Sequence, residues 1–260
     1  MPASYTHQHF GNQVLSRLDH PKIVEIINNN RNYYNIGLQG PDILFFYHPL
    51  KNNYVNELGN RLHQEIARDF FEKAKEQLKE TNSEAALAYI FGFINHFILD
   101  SECHGFIDTV MENKEISHYA IERDLDQRFM IINNDKFNYC SAKHLIANKD
   151  TATIIAPFFK LKPDTILTSL KSFRRFNQLF ACQSNIKRTI ILTGMKLVNA
   201  KSYLGMVMQA KPEPLIKDDI DILVNIFNQS INTATKEIIG YYESYLNNTR
   251  ISNRFDFNYE

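Results

Sequence analysis

The chain is poor in the residues that build irregular or cross-linked proteins. Nine glycines and eight prolines among 260 residues, with 44% of the chain hydrophobic, exclude a disordered or fibrous protein. The three cysteines, Cys103, Cys140 and Cys182, are an odd number without CxxC spacing. That pattern points to reduced thiols in a cytoplasmic protein. No stretch is long and apolar enough to cross a membrane, and the first twenty residues hold no apolar run of signal-peptide length. The expectation is therefore a cytoplasmic protein with at most peripheral membrane contact. Net charge is absent as well: 29 basic residues balance 29 acidic ones. Bulk attraction to nucleic acid or to anionic membrane is not expected, nor is a stable nucleic-acid complex. Arg174–Arg175 and Lys187–Arg188 are the only paired basic spots, and they read as solvated helix faces.

Histidine is missing from the whole stretch after His144, although the chain has nine. The chemistry is thereby assigned to the first half. Its centre is the stretch from Ala85 to Glu122, AALAYIFGFINHFILDSECHGFIDTVMENKEISHYAIE. His96 and Asp100 are four residues apart, as are His118 and Glu122, so on helices each pair stacks on one face. His104 falls between the pairs, just past the first helix. Imidazoles and carboxylates at one-turn spacing suit zinc. The first pair also sits in an apolar segment, where an unpaired charge is costly.

The remaining pattern is helical throughout, with no convincing period of two and no internal repeat. Helical spacing starts at Phe10, Val14, Leu15 and Leu18, and Pro21 opens a short second helix to about Asn28. Residues 28–35 read as polar loop, and GLQGPDILFFY as a Gly-Pro-Asp turn before an apolar patch. One long amphipathic helix is expected over 57–79, with Leu58, Leu62, Ile66, Phe70 and Ala74 inward. Thr81 and Glu84 resemble a capping box for a buried helix ending at Asp100, in which Gly92 leaves room for a neighbouring helix or an ion. His118, Glu122 and Asp126 share one face of a helix beginning near Ile116. Weaker helix over 145–159, then helices over 164–180, 185–204 and 220–247, complete an all-α inventory. The expected architecture is a single domain over 1–260. Residues 1 to about 126 carry the site, and the helical half 145–247 completes the core.

Other candidates have ordinary readings beside chemical ones. His7 and His9 flank Gln8 at a solvated helix start. Asp42 follows Gly-Pro, where aspartate usually caps its own turn. His63 lies on the edge of an apolar stripe, as a core histidine or a ligand. Cys103 is a soft ligand or a small buried hydrophobe. His20, His48 and His144 lack a patterned acidic partner and read as surface or loop. His96, Asp100, His104, His118 and Glu122 already suffice for one zinc. Asp42, His63 and an N-terminal histidine would supply two or three.

The ordered set THQHFG, GPD, RLHQE, INHFILD, CHGF and HYAIE resembles the zinc-dependent phospholipase C family, over roughly residues 1–126. That family is all-helical, shares its architecture with single-strand-specific zinc nucleases, and binds up to three zincs in a cleft between helices. By position, the resemblance implies His7 as the N-terminal histidine ligand, with His9 the alternative. Asp42 resembles the ligand and base. His63, His96 and Asp100 resemble the ligands of a first zinc, and His104, His118 and Glu122 those of a second. Asp100 would bridge toward a third ion held with His7. Secreted relatives use the amine of an N-terminal tryptophan there. This chain has no tryptophan, so the only amine in reach is that of Met1 or Pro2. Two firmly held zincs and a weak, water-filled or empty third site are expected. The implied function is zinc-dependent hydrolysis of a phospholipid or other small phosphodiester, with a metal-activated water attacking phosphorus. The alternatives are a nucleotide or single-stranded nucleic-acid phosphodiesterase, and a non-catalytic helical protein stabilised by zinc.

Overall fold

The computed structural model describes residues 4–259, and among them every regular element is helical. The helices are α1 (Ser4–Arg17), α2 (Pro21–Asn29), α3 (Arg31–Gly37), α4 (Tyr54–Gln64), α5 (Ala67–Thr81), α6 (Glu84–Lys114), α7 (His118–Ile132), α8 (Lys149–Ile155), α9 (Pro163–Phe180), α10 (Asn185–Leu197) and α11 (Lys217–Asn247). Short 3₁₀ turns join them, the most consequential at Gly40–Phe46. The expected all-α class is what the chain adopts. A continuous apolar cluster runs from Tyr5 to Tyr259, and a small second one gathers around Cys182, Ile191 and Met195.

Helix α6 is the axis of the molecule. It is buried on every side from Ala86 to Asp100, so it can only lie between other helices. α3 and α11 flank it most extensively, with α1, α2 and α5 around them. The approach of α3 is set by two glycines. A Cβ on Gly37 would lie 2.1 Å from the Tyr89 carbonyl oxygen, and one on Gly92 would lie 2.2 Å from that of Tyr34. Gly92 therefore makes room for a helix.

The helix boundaries depart from the sequence pattern in several places. α6 does not end at Asp100 but runs to Lys114, so His104 lies on it, one turn beyond Asp100. Its second half is amphipathic, burying Cys103, Ile107 and Val110, and this change of pattern mimics a helix end. Its N-cap is Ser83, whose Oγ accepts from the Ala86 amide, and not Thr81. The stripe expected over 57–79 is broken between α4 and α5. There Ile66 turns out to solvent, and the chain's last residues occupy the gap: the Ala67 amide donates to the Phe257 carbonyl, and the Tyr259 amide to that of His63. Residues 31–37 are helix and not loop, because Tyr34 and Ile36 are fully buried and the Tyr34 hydroxyl donates to the Gly11 carbonyl. Weak helix over 145–159 resolves into α8 and a 3₁₀ turn, and α10 stops at Leu197.

Candidate metal centre

Three elements bring the acidic and imidazole side chains to one place. α6 presents His96, Asp100 and His104 on successive turns of one face. α7 presents His118 and Glu122. The 3₁₀ turn delivers Asp42, which faces His63 from α4, while α1 brings His7. The outcome is three groups whose ligand atoms lie within 4.8 Å of one another: His7 with His96 and Asp100, Asp42 with His63 and His96, and His104 with His118 and Glu122. The third is the set implied for the second zinc. The first two divide the set implied for the first: Asp42 closes on His63 and His96, whereas Asp100 closes on His7 and His96. His96 belongs to both.

The geometry around each imidazole decides what it can bind. His63 Nδ1 is 2.8 Å from the Gly59 carbonyl, which fixes the proton there and turns Nε2 toward Asp42 Oδ1 at 3.1 Å. His7 Nε2 is 3.1 Å from Asp100 Oδ1, and its ring stacks on His96 with centroids 4.3 Å apart. His96 Nε2 is 3.0 Å from Asp100 Oδ2 and 4.0 Å from Asp42 Oδ1. Despite these approaches, neither nitrogen of this fully buried ring makes a hydrogen bond. Buried polar atoms are nearly always satisfied. A cation between the carboxylates and imidazoles would satisfy these, and the donor set is one that zinc accepts. The residues present therefore fit the metal. His118 Nε2 is 3.2 Å from Glu122 Oε1, with the His104 ring edge-on to His118.

With protein groups alone, opposite charges answer one another across the site. Burial is the strongest influence on His63 and pulls its pKa down, but the hydrogen bond and charge of Asp42, the charge of Asp100 and the Gly59 carbonyl together outweigh it and carry it up to about 9. Burial likewise opposes the ionised form of Asp100, yet His96, His104 and His7 together hold it well below the usual carboxylate range.

Two supports leave no mark in the sequence. Asp126 does not share the cleft with His118 and Glu122. It accepts from the Thr6 amide and hydroxyl at 2.8 and 2.7 Å, pinning the start of α1 and hence His7 against α7. Tyr259 is buried at the far end of the chain, its ring 5.3 Å from that of His63 and 6.0 Å from that of His96. Such contacts leave no local pattern to read. Gly40 is the third support, with φ +50° in the left-handed region and a site where a Cβ would fall 2.0 Å from the His96 ring. Gly40→Ala should thus displace His96 and lower zinc affinity about tenfold or more, which equilibrium dialysis against a zinc buffer would read.

The other histidines are elsewhere. His9 stacks on Phe227, and His20 Nδ1 accepts from the Ile23 amide as the N-cap of α2. His48 packs on Tyr47 at positive φ, and the His144 side chain lies outside the described residues. So do Met1 and Pro2, on which the expectation about a terminal amine ligand rests. Cys103 is buried and reads as a hydrophobe, its thiol pushed upward by burial. The site opens into a cleft of about 500 Å³ rimmed also by Asn60, Gln64, Asp108 and Tyr119. Asp108 continues the series His96, Asp100, His104 at every fourth residue, a signal the sequence did carry.

A family described as zinc dependent phospholipase C matches residues 6–183. No curated protein and no solved structure matches.

Proposed function

The chain belongs to the zinc dependent phospholipase C family, and on that premise we propose that it hydrolyses a phosphodiester in the cleft between α4, α6 and α7, with a phospholipid as substrate. One observation carries the reading: three groups of three ligands each face or adjoin a single open cleft. Structural zinc is closed by four protein ligands, whereas hydrolytic zinc keeps a position open. Bound zinc supplies Lewis-acid activation of a water and neutralises charge on phosphoryl oxygens.

Two ions would be held firmly. Asp42, His63 and His96 would hold one, and His104, His118 and Glu122 the other. His7 and Asp100 would complete a weaker third site through His96. Asp42 lines the cleft and is the carboxylate placed to take or orient a proton of the attacking water. Tyr119 stays protonated, because burial pushes its pKa up, and offers a neutral donor at the rim. Asn60 offers an amide donor beside it. Zinc-loaded protein should release a phosphorylated head group from phosphatidylcholine faster than it cleaves single-stranded DNA. A preference for DNA in parallel assays would replace the lipid reading by the nuclease one.

A further inference from the structure

The neutral chain conceals a strongly basic segment. From Thr165 to Pro212 there is no aspartate or glutamate, while Lys171, Arg174, Arg175, Lys187, Arg188, Lys196, Lys201 and Lys211 fall within the same 48 residues. None of the eight is within ion-pair distance of a described carboxylate. Helix α10, at the centre of this segment, is also inverted in its apolar pattern. Ile191 and Met195 face the core, yet Ile186, Ile190 and Leu197 form a second apolar stripe on the opposite, solvent side. Leu197 is 83% exposed and Ile186 is 77% exposed. Lys187 and Lys196 flank that stripe.

Beneath α10 runs an apolar groove of about 570 Å³, walled by Ile190 and Val198 on one lip and the exposed Leu50 on the other. It shares Phe45, Asn60 and Tyr119 with the metal cleft, so the two adjoin. α10 lies beyond the part of the chain that the family match covers.

We infer that the face formed by α10 and the adjoining end of α9 docks on an anionic lipid bilayer. Aliphatic side chains flanked by lysines are what an interfacial helix presents to a membrane: the chains enter the acyl boundary and the ammonium groups meet anionic head groups. Single-stranded nucleic acid would want aromatic stacking platforms, and the outward stripe of α10 has none. A second copy of the chain would set like charge against like. Docked in this way, the groove beneath α10 and the metal cleft it adjoins would lie close to the bilayer, and substrate would reach the cleft from the membrane. That last step, substrate drawn from the membrane, rests on the function proposed above; the docking does not.

Sedimentation of the full chain with vesicles tests it without any turnover, so a failure of the catalytic reading leaves the result intact. Binding is expected to phosphatidylcholine vesicles containing phosphatidylserine, to weaken with salt, and to be slight on phosphatidylcholine alone. Ile186→Ser with Leu197→Ser, and separately Lys187→Glu with Lys196→Glu, should each weaken it about tenfold or more. All four side chains are exposed, so circular dichroism should not change, and the charge pair keeps the test sound if the apolar pair misfolds. Equal binding to both vesicle types would overturn the inference. So would undiminished binding by the charge variant, stronger binding of a single-stranded oligonucleotide through the same lysines, or a dimer in gel filtration that Leu197→Ser dissolves.

Discussion

Asp42→Asn should abolish phosphodiester hydrolysis while leaving the fold in place. The amide keeps the shape of the side chain, so the 3₁₀ turn at Gly40–Phe46 and the cleft wall are preserved. What is lost is the charge facing His63 at 3.1 Å and the group able to take a proton inside the cleft. Removal of a positioned general base lowers rates by roughly 10²- to 10⁴-fold. Circular dichroism should be unchanged, and kcat should fall with little change in KM. Activity near the wild-type level would reduce Asp42 to the turn residue its Gly-Pro context suggests.

A larger effect on the whole molecule is expected from His96→Ala combined with His118→Ala. One member of each firmly held set is then missing, and His96 is also the imidazole shared with His7 and Asp100. A ligand that binds only the folded state adds about 4 kcal/mol at a thousandfold excess over its Kd. In a chain of this length such a loss lowers Tm by roughly 10 °C. The vacated volume at His96, which is fully buried, adds a cavity penalty in the same direction. Zinc content and melting temperature should therefore fall together. Full zinc retention by the double variant would remove these residues from the ligand set.

The site is legible in the sequence where chemistry and helical spacing coincide. Residues four apart mark a helix face whatever the tertiary fold, so spacing alone pairs His96 with Asp100 and His118 with Glu122. Asp42 is harder to read, since its Gly-Pro-Asp turn has a sufficient local explanation and its partner His63 arrives from another helix. The reach of α6 to Lys114 is hidden by a change from all-round burial to a one-sided pattern. Tyr259, Asp126 and the break at Glu65–Ile66 are illegible, because each depends on contacts across more than a hundred residues. The basic segment around α10 is lost to averaging: acidic residues elsewhere cancel its charge in the total.

Zinc content of the purified wild-type chain, measured by elemental analysis after exhaustive dialysis, tests the central claim most directly. Two zincs per chain are expected, with any third lost in dialysis. A chain that is folded, holds less than one zinc, and takes up none on titration would contradict the account.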